Sequence, residues 1–106
     1  MIIIKTTTNN TEIRDKIINT LIKKKYAACI NIIENVTSYY MWNDNIEKDT
    51  EYMLLIKTII KHETIIYNTI NELHNYDIPE ISTLSVANVS EDYNKWLLKS
   101  VSNDLQ

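Results

Sequence analysis

The sequence predicts an α+β domain whose elements run β-α-β-β-α-β, with one further helix at the C-terminal end. Three observations carry this. Apolar residues recur at helical spacing in two separate stretches, Ile13 to Ile22 and Ile66 to Leu73. Runs rich in β-branched residues precede the first stretch and follow the second. Between them, two long extended runs meet at Asn43-Asp44-Asn45, a turn signal.

Residues 2–8 are β-branched except for Lys5 and read as a buried strand. Asn9-Asn10-Thr11 then offers N-cap side chains. Ile13, Ile17 and Leu21, with Ile18 and Ile22 beside them, make an amphipathic helix of about four turns. Lys23-Lys24-Lys25 closes it and offsets the helix dipole. An extended stretch runs from Ala27 to Trp42, and Glu34-Asn35 breaks its pattern in the manner of a bulge. The second extended run goes from Ile46 to about Ile60. The next helix covers roughly residues 62–74, with His62 solvated where it begins. Tyr76 to Pro79 is a loop, because Pro79 disfavours helix at Ile78. Ile81 to Val89 alternates as a strand. Ser90 with Glu91-Asp92 starts a last helix that docks through Tyr93, Trp96, Leu97 and Val101. From Ser102 onward the tail is expected to fray.

This order matches the ferredoxin-like split βαβ arrangement. Right-handed crossovers place both main helices on one face of an antiparallel sheet. The hairpin arms are unusual, at about 14 residues each or roughly 45 Å. The other two strands are too short to pair along all of that length. The distal half, with Tyr39, Tyr40, Met41, Trp42 and Tyr52, therefore projects as an aromatic ribbon. Such a ribbon invites aggregation unless another copy of the chain covers it, which predicts a closed cyclic homo-oligomer.

A length of 106 residues predicts one domain, 1–106. The net charge of −3 argues against nucleic acid as a partner and, more weakly, against an anionic membrane surface. With no apolar run of membrane-spanning length and a single cysteine, Cys29, the chain reads as cytoplasmic. There is no glycine, so Asn and Asp must serve wherever the backbone needs positive φ.

Catalysis finds little support: no phosphate-binding glycine loop exists, and no Ser or Cys stands in a nucleophile motif. Cys29 and His74 could pair as a thiolate and base, but their spacing is silent on this. A metal centre needs three or four ligands, and Cys29, His62, His74 and scattered carboxylates show no ligand spacing. His74 has two readings, a helix-terminal cation favoured by the dipole or a soft ligand in a cleft. Tyr40 and Trp42 suit stacking on a ligand, and suit packing in an interface better.

Five segments resemble the CutA family. They are Ala27-Ala28-Cys29-Ile30-Asn31-Ile32-Ile33, Val36-Thr37-Ser38-Tyr39-Tyr40-Met41-Trp42, the run from Ile46-Glu47 through Glu51 to Leu55-Ile56-Lys57-Thr58, His74-Asn75-Tyr76-Asp77-Ile78-Pro79-Glu80-Ile81, and Tyr93-Asn94-Lys95-Trp96-Leu97. They occur in order, and the resemblance covers the chain from Ile2 to about Val101. It implies a ferredoxin-like fold, a tight homotrimer built through the long hairpin with PII-like architecture, and a part in tolerance of copper and other divalent cations. It marks Cys29 and His74 as candidate metal ligands. Thr6 stands where some members carry a further cysteine, and Asn75 replaces a usual proline, which is expected to loosen the His74 loop.

Three functions follow as expectations. One is a trimeric metal-responsive protein using His74, Cys29 and nearby groups, within a subunit or across subunits, preferring Cu²⁺ to Zn²⁺ if the site is rich in nitrogen and oxygen. Another is a small-molecule sensor with an inter-subunit cleft lined by Tyr40, Trp42, Lys57, His74, Tyr76 and Glu80. The third is a structural or adaptor trimer that anchors another protein.

Overall fold

The chain is described by a computed structural model over residues 1–103. β1 (Ile2–Thr8) passes directly into α1 (Thr11–Lys23), because Asn10 stays extended and its side chain accepts the Ile13 amide at 3.0 Å. α1 stops where Lys25 enters the left-handed region (φ 58°). The amides of Lys25 and Tyr26 then close back on the carbonyls of Ile22 and Leu21, a Schellman ending made without glycine. β2 (Cys29–Trp42) and β3 (Asn45–Thr58) follow. They are joined through Asn43 (φ 50°) and Asp44 (φ 64°), the two positive-φ residues of a type I′ turn. A 3₁₀ turn (Ile60–His62) leads to α2 (Glu63–Leu73), then β4 (Ile81–Ser85) and α3 (Glu91–Ser100).

All four strands are antiparallel in the order β2-β3-β1-β4, the ferredoxin-like arrangement. Ile4 and Thr6 of β1 pair with Ile56 and Leu54 of β3, so this face carries the core. Ile17 and Leu21 of α1 and Ile66 and Ile70 of α2 pack in the same cluster, all fully buried. Thr7, Met53, Leu55 and Lys57 belong to the opposite face, since side chains alternate along each strand.

β3 pairs with β1 only from Tyr52 to Thr58, so its first half, Asn45 to Glu51, is held by β2 alone. The outer hairpin therefore projects by about 23 Å. Its apolar residues are uncovered: Tyr39, Tyr40, Met41, Trp42 and Ile46 are all exposed, with Ile46 at 75%.

Several details depart from the sequence reading. Tyr52 is not part of the exposed ribbon. It packs against the core, with the Arg14 guanidinium over its ring at 4.6 Å. β4 ends at Ser85 rather than Val89, because Ser85 already pairs with Ile2, the first residue of β1. His62 is wholly buried, not solvated. The 3₁₀ turn carries its ring inward against Tyr26, where Nδ1 donates to the Tyr26 carbonyl at 2.8 Å. Within the docking face expected of α3, Leu97 and Val101 are buried but Trp96 is exposed. Ser90 occupies the N-cap position without a side-chain hydrogen bond. The tail does not fray at Ser102, whose amide donates to the Lys25 carbonyl at 2.8 Å. Lys61 Nζ likewise holds the Asn103 carbonyl at 2.9 Å. The remainder of that tail lies outside the described residues.

Candidate functional site

A one-residue bulge decides what faces the cleft. Ile33 pairs with Met53, yet the next pairs are Val36 with Glu51 and Ser38 with Asp49. β2 therefore carries one residue more than β3 here, and Asn35 absorbs the distortion at φ 57°. The extra residue inverts the alternation, so Ser38, Tyr40 and Trp42 share a face with Asp49 and Glu51. Without it, Tyr39 and Met41 would occupy that face.

The loop between α2 and β4 closes over the same place. His74 Nε2 donates to the Thr7 carbonyl at 2.7 Å, and His74 Nδ1 accepts the Tyr76 amide at 3.0 Å. Asn75 accepts from Thr8 Oγ1 at 2.7 Å and donates to Asn9 Oδ1 at 3.0 Å. The asparagine thus fastens the loop to the end of β1 rather than loosening it. Tyr76 then reaches across to donate its hydroxyl to Glu51 Oε2 at 2.8 Å, while Ser38 Oγ donates to Oε1 at 2.6 Å.

These elements line an open cavity of about 760 Å³ at the root of the ribbon. Thr7 and Asn9 come from the end of β1, Tyr40 and Trp42 from β2, Asp49 and Glu51 from β3, and Tyr76, Asp77, Ile78 and Glu80 from the loop. Four carboxylates and three aromatic rings meet there. Glu80 is paired with Lys5 Nζ at 3.1 Å. Among the described residues no lysine or arginine forms an ion pair with Asp49, Glu51 or Asp77. Glu51 is only 8% exposed, so its carboxyl group sits in a largely dry place. Burial pushes the Tyr76 hydroxyl far above the ordinary tyrosine range, helped by the hydrogen bond to Glu51 and that carboxylate's charge. Tyr76 therefore remains a donor at all physiological pH.

Of the residues the sequence marked, Tyr40, Trp42, Tyr76 and Glu80 are brought together here. His74 stands behind the cavity wall with both ring nitrogens committed, which leaves no lone pair for a metal in this arrangement. Lys57 lies six positions from Glu51 along β3, about 20 Å away, with its ammonium over the Tyr93 ring at 5.6 Å. Cys29 pairs with Lys57 and shares that far end. Within one protomer Cys29 and His74 do not fit a common metal site. Among the described residues no three His, Cys, Asp or Glu side chains are placed to hold a metal ion. Thr7, Asn9, Asp49, Glu51, Asp77 and Ile78 were missed by sequence reasoning. The period-two series Glu47, Asp49, Glu51 was the available signal, but the bulge hides what stands opposite it.

Residues 2–100 match the family model described as CutA1 divalent ion tolerance protein. The chain belongs to this family. This CutA1-family chain is 38% identical over 99 residues to the divalent-cation tolerance protein CutA of Pyrococcus horikoshii, covering 93% of this chain and 96% of that one. It is 33% identical over 102 residues to the chloroplastic CutA protein of Arabidopsis thaliana, covering 96% of this chain but only 56% of that longer protein. Among solved structures, the crystal structure of CutA1 from Pyrococcus horikoshii superposes with a TM-score of 0.90 at 37% identity, covering 97% of this chain and 100% of that one. The Archaeoglobus fulgidus structure, described as a periplasmic divalent cation tolerance protein CutA, gives 0.89 at 26% identity, covering 96% and 100%. The family description concerns ion tolerance and names no reaction. The cytoplasmic reading of the sequence is overturned, because relatives are named for the chloroplast and the periplasm. Among the described residues no helix is long and apolar enough to cross a membrane.

Proposed function

We propose that the chain acts as a non-catalytic homotrimer that takes up positively charged ligands in the cavity at the root of its ribbon. This uptake would be its contribution to cation tolerance. One observation carries the reading: Glu51 is buried beside two further carboxylates, and among the described residues no cation of the chain pairs with any of the three. A buried carboxylate without a counter-charge costs stability, and a cationic ligand returns it. The exposed Tyr39 to Trp42 segment supports self-association, since a lone protomer leaves those rings in water. Ligation of copper by His74 together with Cys29 is not included, because His74 spends both nitrogens on backbone groups and Cys29 lies at the other end of the sheet.

Two measurements test this. Sedimentation equilibrium should return three times the 12.5 kDa chain mass; a monomer at micromolar concentration would remove the assembly. In a W96F background Trp42 is the remaining tryptophan and lines the cavity. Its fluorescence should change on titration with simple cations, including Mg²⁺, Cu²⁺ and alkylammonium salts, and E51Q should abolish the change for every cation that binds. Responses that survive E51Q would place the uptake elsewhere.

A further inference from the structure

We infer that the end of the molecule opposite the ribbon is a docking surface for an anionic lipid bilayer. This surface is separate from the cavity. It lies where the C-terminal turn of α1, the 3₁₀ turn before α2 and the chain after α3 meet. The Tyr26 carbonyl accepts from His62 Nδ1 at 2.8 Å and from Thr58 Oγ1 at 2.6 Å, which fastens the first two segments together. The Ser102 amide donates to the Lys25 carbonyl, and Lys61 Nζ donates to the Asn103 carbonyl, which adds the third. β2 starts at this end with Cys29 and reaches the ribbon tip at Trp42, about 40 Å away along the strand, so a contact built on the ribbon tip lies elsewhere.

Charge is the first argument. Five exposed lysines stand on these segments: Lys23, Lys24 and Lys25 at the end of α1, Lys61 in the 3₁₀ turn, and Lys99 in the last turn of α3. They are five of the chain's eleven Lys and Arg residues, so the net charge of −3 averages over an acidic end and a basic end. A partner surface responds to the charge within a Debye length, about 8 Å at physiological salt, and not to that average. Among the described residues the acid nearest to them in sequence is Glu63, and no ion pair joins it or any other acid to the five. Like charges gathered at one end repel. The Tyr26 ring, 5.9 Å from Lys24 Nζ, and the Asn103 carbonyl offset this only in part.

The backbone gives an independent sign. Lys25, Asn35, Asn43 and Asp44 have positive φ. Three of the four are Asn or Asp, which tolerate the left-handed region, and Lys25 at φ 58° is the exception. An asparagine there would cost less, so this position keeps its charge at the expense of backbone ease.

Apolar side chains among the lysines select the partner. Ile22 and Ile60 are exposed, Ile60 at 65%, and they adjoin Lys23 and Lys61 in the chain. At a bilayer surface the ammonium groups meet lipid phosphates while the isoleucines reach the boundary of the acyl chains. An extended acidic peptide would match the lysines but leave both isoleucines in water.

Co-sedimentation of the assembled protein with lipid vesicles tests the proposal. Vesicles of phosphatidylcholine with about one third phosphatidylglycerol should carry the protein down at physiological salt, and pure phosphatidylcholine should not. Raising the NaCl concentration severalfold should release it. At about fivefold per lysine near the surface, K23Q/K24Q/K25Q should weaken partitioning at least tenfold. K16Q/K48Q/K95Q removes the same charge from exposed positions away from this end and should change partitioning by less than about twofold. I60S should weaken it several-fold, a change that a purely ionic contact would not register. Failure of the anionic vesicles to bind, or equal losses from the two triple variants, would overturn the proposal. Binding of a hexaglutamate peptide that needs Lys23, Lys24 and Lys25, without vesicle binding, would overturn it in favour of an acidic protein segment.

Discussion

Removing the Tyr76 hydroxyl probes the buried carboxylate directly. In the structure that hydroxyl donates at 2.8 Å to Glu51, which is 8% exposed and has Ser38 as its other hydrogen-bond partner. Hydrogen bonds to charged groups contribute about 1.5–3 kcal/mol, and those between neutral groups about 0.5–1.5 kcal/mol. Tyr76→Phe should therefore cost about 2 kcal/mol in the wild-type background and about 1 kcal/mol in the E51Q background, a coupling of about 1 kcal/mol. E51Q alone should be neutral or stabilising, because it removes a charge with no cation beside it while keeping the shape and an acceptor oxygen. At about 4–8 °C per kcal/mol for a domain near this size, Tyr76→Phe should lower Tm by on the order of 10 °C. The assay is urea and thermal unfolding of all four proteins at one protomer concentration, since assembly makes stability concentration-dependent. Equal losses in the two backgrounds, or a large loss from E51Q alone, would refute the claim that the Tyr76 and Ser38 hydroxyls hold a buried carboxyl group with no cation beside it.

Other outcomes follow from single features. Lys25 sits at φ 58°, where a side chain costs about 1 kcal/mol, so Lys25→Gly should stabilise the chain by about that amount in urea unfolding. The raised Tyr76 pKa favours the neutral phenol in the folded state, so its stabilisation is complete below the ordinary tyrosine value of 10.0 and is lost as pH rises beyond it. Unfolding between about pH 9 and 11 should show this slope in the wild type and a flatter one in Tyr76→Phe. His74→Ala should cost about 2 kcal/mol by releasing the Thr7 carbonyl and the Tyr76 amide. It should leave the heat of Cu²⁺ binding unchanged, and loss of that heat would restore His74 as a ligand.

How far the sequence could be read depended on whether a feature is local. The Asn10 cap and the Asn43-Asp44 turn were legible because a few adjacent residues specify each. The ferredoxin-like arrangement followed from element order, and crossover handedness placed both main helices on one face of the sheet. His62 was misread because its burial depends on Tyr26 and Thr58, whose groups meet it at one carbonyl although Tyr26 is distant in sequence. The length of β4 was overread because alternation continues past Ser85 while β1 offers no further partner. Half the cavity was legible in the aromatic residues and the loop before β4. Glu51 was not, since only the bulge at Asn35 reveals that Ser38 and Tyr40 share its face. Cys29 and His74 drew attention by residue type, which carries no information about distance.

Where cations settle on the folded molecule can be mapped residue by residue. A ¹⁵N-labelled sample titrated with Mg²⁺ or an alkylammonium salt should show amide shifts concentrated at Thr7, Asn9, Asp49, Glu51, Tyr76 and Asp77, around the root of the ribbon. Shifts centred on Cys29 and Lys57, or scattered over exposed acids such as Glu12 and Glu91, would contradict a cation site at that root.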